Sequence, residues 1–244
     1  MAFSLSKYPD LNVREQAERF ESMGLEDTLR WTWETFGRQA AIGTSYQGSG
    51  LVIIHHAWKL GLDFPVFTVD TGLLFPETEA LRIRLEEFFG IQIEGLKPAQ
   101  TVHEQWADYG GNLWETNPDT CCTLRKVLPL QQRLSQLDVW ITGLRRGQSE
   151  TRAKTGILEM YEFDKLREKN LLKLNPMANW SREQVWDYIK ANAIPYNPLH
   201  DRGYRSIGCW PCTKLAGGEN ERAGRWEGFE KTECGIHTFL GSNI

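Results

Sequence analysis

No stretch of this sequence approaches the ~18 consecutive apolar residues that cross a bilayer, so nothing in it reads as a membrane span. The opening MAFSLSKYPDLNVREQAERF lacks a cationic start followed by an apolar stretch and does not read as a secretory signal. Basic runs of five or more residues are absent, and the net charge of −4 argues against a general nucleic-acid binder. Internal repeats and low-complexity segments are missing too. No glycine-rich turn ends in the G-K-[ST] of a Walker A loop. Cysteine is sparse and odd in number, five in 244 residues. Without a secretory signal, that argues against a disulfide framework and for metal or redox chemistry. The remainder is ordinary globular composition, 25% charged and 41% hydrophobic, enough for one large domain or one domain with a short appendage. A soluble, cytoplasmic protein is expected.

What is present alternates between two periods. Residues 13–37 read as helical. QAAIGTS is a short apolar run ending in small residues, a buried-strand signature, and opens through SYQGSG into a helix that ends at Gly61. PVFTVDTG is a second strand running into a glycine turn. Pro76 then starts a helix whose apolar face is Leu81, Leu85, Phe88 and Phe89. IQIEGL and VWITGLRR are a third and a fourth strand, the latter preceded by a helix over Leu124 to Leu137. Ser181 and Gln184 make a capping box ahead of Val185, Trp186 and Ile189. From Ile194 onward Pro, Gly and Cys interrupt every pattern, and irregular structure is expected. Strands alternating with helices predict an α/β fold with a mostly parallel sheet covered on both faces. The expected organisation is a nucleotide-binding α/β part over 1–200 and a C-terminal segment over 201–244, together one structural unit.

In such sheets, ligands sit beyond the carboxyl ends of the strands. SYQGSG, DTG and GLRRGQS all fall there. A glycine-rich turn feeding a helix offers backbone N–H groups to an anion, although an ordinary strand-to-helix turn has the same composition. Arg145 and Arg146 add two guanidiniums suited to phosphate or sulfate, although a solvated surface pair reads alike. Together the motifs favour a phosphorylated ligand.

The cysteines are more specific. Cys121 with Cys122, and Cys209 with Cys212 in CWPC, give two pairs of soft ligands able to close a tetrahedral sulfur site. Vicinal ligands are unusual for structural zinc, which tilts the reading toward a 4Fe-4S cluster. Arg125 and Lys126 stand beside the pair, as counter-charges to a thiolate-bound cluster. Cys234 is left over, with His237 three residues on and with Arg222 and Arg225 upstream. A thiolate would be favoured among such groups, while a free surface cysteine near a chain end is the plainer alternative.

Six motifs in order, TVDTGLLFPET, CC with RK, GLRRGQS, PYNPLHDRGYRSIGC-x-x-C, ER-x-GRW and ECGIH, resemble the adenosine phosphosulfate and phosphoadenosine phosphosulfate reductases of sulfate assimilation, from about Ala41 to His237. The resemblance implies a Rossmann-like, adenine nucleotide α-hydrolase-like fold with a mobile C-terminal tail. It implies that Cys234 attacks the sulfur of adenosine 5′-phosphosulfate, expelling AMP and leaving an S-sulfocysteine. Lys126, Arg222, Arg225 and His237 are then the cations that offset the meeting of two anions. The loop Ser45 to Gly48, Asp70, Gly72, Arg145 and Arg146 would hold the nucleotide. Cys121, Cys122, Cys209 and Cys212 would hold a structural or electrostatic 4Fe-4S cluster. With no thiol to spare and no thioredoxin-like domain after the tail, reduction needs thioredoxin or a glutaredoxin-like dithiol protein. SYQGSG departs from the SGGxDS loop of ATP-using relatives by lacking its Asp-Ser ending, which weakens an ATP pyrophosphatase reading.

Three rivals stay open: the same reaction on the 3′-phosphorylated substrate, a nucleotide-responsive redox sensor with Cys234 as its switch, and a sulfurtransferase acting on RNA. The four-cysteine set, as found in the family, and the absence of Lys or Arg between Thr44 and Gly50 favour the substrate without the 3′-phosphate. Oligomeric state is open, a homo-oligomer included.

Overall fold

The computed structural model describes residues 7–164, 169–215, 217, 221–222 and 224–237. Two helices open the chain, α1 (Val13–Phe20) and α2 (Leu25–Phe36), where one was expected. The break falls just before Gly24, which caps α2 with extended backbone, and it lets Phe20 and the Leu25, Leu29 and Phe36 face turn separately into the core. β1 (Ala40–Gly43) leads into α3 (Gly48–Lys59), β2 (Val66–Val69) into α4 (Pro76–Phe89), and β3 (Ile93–Leu96) follows. On α4, Leu81, Leu85 and Phe89 are buried as expected. Phe88 is not: it lies at the margin of the face, 38% exposed, against Trp58 and Phe89.

The path from β3 back to the sheet centre runs through α5 (Val102–Tyr109), α6 (Leu113–Thr116), α7 (Pro118–Cys122), a π-turn over Thr123–Val127 and α8 (Leu128–Leu134). The helix expected from Leu124 therefore starts earlier, at Pro118, and carries a π-turn inside it. β4 (Val139–Ile141) is shorter than expected because its pairing stops where the chain turns into the GLRRGQS loop. Two unexpected strands follow, β5 (Leu158–Asp164) and β6 (Lys169–Leu174), then α9 (Arg182–Ala191), whose Ser181–Gln184 capping box forms with both of its bonds.

The six strands lie in the order β3-β2-β1-β4-β6-β5, all neighbours parallel except β5 with β6. The central strands β1 and β4 are buried on both faces, as Ala40, Ala41, Ile42, Val139, Trp140 and Ile141 require. The chain winds outward from β1 through β2 to β3, then crosses back to β4. The strand order therefore reverses between β1 and β4, and a crevice opens beyond their carboxyl ends. The C-terminal segment packs onto this body: Leu74 bridges Cys209, the Trp210 amide donates to the Leu73 carbonyl, and Gln47 Nε2 donates to the Ile207 carbonyl. No helix among the described residues is long and apolar enough to cross a membrane. The last part of the expected mobile tail, 238–244, lies outside the described residues.

Candidate active site

The crevice is bounded by the loops after β1 and β4. In the first, Thr44 Oγ1 accepts from the Tyr46 amide at 3.0 Å, and Tyr46 sits at φ 58°, a strained conformation for a bulky residue. α3 then begins at Gly48 with no side-chain cap, and its first residues, Gly48, Ser49 and Gly50, line the cavity. In the second, a Cβ added at Gly143 would lie 2.9 Å from the Gly50 nitrogen and 3.0 Å from Ser49 Cβ, so the two loops meet backbone to backbone. Ser45 and Gly48 line the cavity.

Arg145 is buried there. Its Nε donates to Ser49 Oγ at 3.0 Å and its Nη2 to Glu221 Oε2 at 2.6 Å. Arg146 points away from the cavity. Its guanidinium pairs with Glu21, and its Nε donates to the Thr155 carbonyl. Arg145 is extended and Arg146 opens a 3-10 turn, so the two side chains leave the chain in different directions and only Arg145 reaches the crevice. Asp70 and Gly72 lie beside the cavity without lining it. Asp70 Oδ1 accepts from the Gly72 amide at 3.0 Å, building the turn that presents Thr71 to the cavity.

Cys121, Cys122, Cys209 and Cys212 are all free thiols; Cys209 lines the crevice, and Cys121, Cys122 and Cys212 are each close enough to it to feel its charge. Burial, Cys122 and Cys209 push the Cys121 thiol up to about 11. Cys212 is raised by burial and then by Cys209. The π-turn after Cys122 lies next to the vicinal pair, an irregularity common at functional sites. Arg125, also buried, braces both segments. Its Nε donates to the Thr71 carbonyl, and its Nη1 donates to Gln105 Oε1 at 3.0 Å. Thr71 Oγ1 in turn lies 3.3 Å from Cys209 Sγ, and Gln105 Nε2 donates to Cys121 Sγ at 3.9 Å. Among the described residues no group of His, Cys, Asp or Glu is gathered to hold a single metal ion. The donor set of four thiols, two of them held by polar neighbours and all near the buried Lys126 ammonium, fits an iron–sulfur cluster in its chemistry.

Cys234 lines the same cavity, and so do Lys126, Arg222, Arg225 and His237. Burial pushes its thiol up. Lys126, a hydrogen bond from the Ile236 amide, Arg222 and Arg225 together outweigh burial and leave its pKa below the ordinary thiol value. Lys126 answers in kind: burial disfavours its ammonium, and the Cys209, Cys234 and Cys122 sulfurs outweigh burial to hold it protonated. Arg225 and Arg222 lie over the buried Trp226 ring, 4.5 and 5.5 Å from its centroid, which fixes both cations.

His237 departs from expectation. Burial, Lys173, Arg152 and Arg222 drive its pKa well below the usual value, so it is a neutral imidazole and not one of the cations. Its Nδ1 is buried without a partner among the described residues, free for a bound molecule. The sequence reading also missed Arg152, Ser49 and Trp140. Arg152 follows GLRRGQS in the same loop. Its Nη1 donates to Gln148 Oε1 at 2.6 Å and its guanidinium lines the cavity.

A mostly parallel α/β sheet with a crevice at its switch point, lined by a cysteine among cations, places the chain among the adenine nucleotide α-hydrolase-like folds. Residues 39–215 match the model of the phosphoadenosine phosphosulfate reductase domain, and the chain belongs to that family. It is 40% identical to the adenosine 5′-phosphosulfate reductase of Halalkalibacterium halodurans, over 93% of this chain and 97% of that one. It is 42% identical to the enzyme of that name from Salinibacter ruber, over 96% and 92%. A crystal structure of phosphoadenylyl-sulfate (PAPS) reductase from Candida auris superposes with a TM-score of 0.73 at 28% identity, covering 86% of this chain and 98% of that chain. FMN adenylyltransferase of Candida glabrata, with a TM-score of 0.55 at 11% identity, shares the fold.

Proposed function

We propose that the protein reduces adenosine 5′-phosphosulfate to sulfite and AMP in sulfate assimilation. The observation that carries this reading is Cys234 in the nucleotide crevice, its thiolate favoured by Lys126, Arg222 and Arg225. The thiolate attacks the sulfur of the phosphosulfate and forms an S–S bond. The S–O bond to phosphate breaks, and AMP leaves with its electron pair. Cations around both anions lower the cost of bringing them together and stabilise the leaving phosphate. Arg145, Ser45 and the α3 amides from Gly48 hold the phosphate, Arg152 adds a further guanidinium, and the neutral His237 contributes a hydrogen bond.

A dithiol protein of the thioredoxin type then attacks Cys234 Sγ. Sulfite leaves with the S–S electron pair, and the second thiol of the partner resolves the mixed disulfide and returns Cys234. With Cys121, Cys122, Cys209 and Cys212 engaged together, an external pair of electrons is required. Those four residues would hold a 4Fe-4S cluster, which when bound ties the two cysteine segments together and adds to the electrostatics beneath the crevice. Five free thiols suit the reducing cytoplasm. Residues 1–200 and 201–244 act as one structural unit, because the site draws on both. The names of the relatives in Halalkalibacterium halodurans and Salinibacter ruber favour the substrate without a 3′-phosphate.

Intact-protein mass spectrometry tests this. Protein purified anaerobically without reductant and mixed with adenosine 5′-phosphosulfate should gain one SO₃ group on Cys234, release AMP, and lose the group to thioredoxin. The 3′-phosphorylated nucleotide should react more slowly. An unmodified, cluster-loaded protein would overturn the reading.

A further inference from the structure

The chain on both sides of the nucleophile is tied down. Glu233, one residue before Cys234, accepts two parallel bonds from Arg152, Nε to Oε1 and Nη2 to Oε2, each 2.9 Å. Arg222 Nη2 lies 3.1 Å from the same Oε2, and the side chains of the Arg152–Glu233 pair are each only 13% exposed. Beyond the thiol, the Tyr161 hydroxyl donates to the Ile236 carbonyl at 3.2 Å, and the His237 ring stacks on Trp140 at 5.0 Å and 11°. Gly235 between them stands at φ 85°, a backbone that glycine alone adopts at little cost.

Glu233 is out of place electrostatically. It brings a negative charge beside a cavity whose cations gather for an anion, and it neutralises two of the arginines. Such a group opposes substrate binding, so its value lies elsewhere. A bidentate guanidinium–carboxylate pair is the most directional ion pair that side chains make. Here it fixes the residue bonded to the nucleophile. We propose that Glu233 is a positioning residue: clamped by Arg152 and Arg222, with Tyr161 as a second anchor, it aims Cys234 Sγ at the sulfur of the bound phosphosulfate. This rests on the reductase reading above.

The test uses single-turnover sulfonation of the cluster-loaded protein, AMP affinity, and the rate at which iodoacetamide alkylates Cys234. Glu233→Gln removes the charge and keeps the shape. Its sulfonation rate at saturating adenosine 5′-phosphosulfate should fall about 100-fold, the cost of a misplacement of roughly 1 Å. AMP affinity should hold or rise, because Arg152 and Arg222 lose their internal counter-charge, and Cys234 should alkylate faster once unclamped. Tyr161→Phe keeps the ring and loses one hydrogen bond. It should sulfonate about tenfold more slowly with AMP affinity unchanged, and it decides the matter if Glu233→Gln does not fold. Wild-type rates of sulfonation and alkylation in the variants would overturn the proposal, as would a loss of AMP affinity in step with the loss of rate. Failure of the wild-type protein to be sulfonated would overturn the reductase reading instead, and alkylation alone would then judge the clamp.

Discussion

At Cys234 two opposed effects act on one sulfur. Burial favours the neutral thiol, while Lys126, the Ile236 amide, Arg222 and Arg225 favour the thiolate and prevail. A depressed thiol pKa means that the nucleophile is fully present above that pKa and is lost as the pH falls through it. The sulfonation rate should therefore rise with pH along a single limb and flatten above it. Lys126→Met should move that limb up by about 1–3 units, the effect of one close opposite charge in a partly buried site. Lys126→Arg, which keeps the charge, should leave it near its original place. His237→Gln should lower the plateau without moving the limb, because the imidazole is already neutral in this range. Stopped-flow rates across pH, with the cluster absorbance checked in each variant, would decide. A limb that follows His237 would assign the ionisation to the wrong group.

At the scale of elements, the site depends on how closely the loops after β1 and β4 approach. Gly143→Ala would put a methyl group 2.9 Å from the Gly50 nitrogen and 3.0 Å from Ser49 Cβ, against the first turn of α3 and not a flexible side-chain end. The turn must move. AMP affinity should fall at least about tenfold, with a stability loss of about 1–3 kcal/mol, as overpacking of a rigid site costs. Titration calorimetry and denaturant unfolding measure the two, and unchanged affinity would show the α3 amides to be unimportant. What was legible in the sequence follows the same division between local and distant. β1, β2, α4 and the Ser181–Gln184 box declare themselves over a few residues, because glycine turns, Pro76 and capping bonds act locally. β6 was not legible. KNLLKL becomes a strand by inserting between β4 and β5, a pairing settled far along the chain, and Lys173 within it is buried against Glu159 and the Tyr161 ring. Arg145 and Arg146 read identically as a pair, and only the direction of the backbone separates a cavity residue from one tied to Glu21. Arg152 stood alone in its loop, without a motif to mark it, although it grips the residue next to the nucleophile.

For the molecule as a whole, charge is unevenly spread. The chain carries a net −4 and repels an anionic substrate at long range. Among the described residues, seven Lys and Arg side chains line the crevice against the carboxylate of Glu221, with Glu233 beside the cavity paired to Arg152 and Arg222. The local field reverses the global one within about a Debye length, ~10 Å at 0.1 M salt, so capture of the nucleotide depends on the crevice and chemistry in the closed site much less. Raising sodium chloride from about 0.05 to about 0.5 M should lower kcat/KM by about three- to tenfold. The single-turnover rate at saturating substrate should change less than about twofold, because the Cys234 environment is enclosed and poorly screened. Arg182 lines the crevice from the first turn of α9, away from the tail. Arg182→Gln should flatten the salt dependence of kcat/KM and leave the saturated rate alone. If salt slowed the saturated step as strongly as kcat/KM, the cations would be acting through solvent on an open site, and the enclosure of Cys234 by its clamp would have to be given up with it.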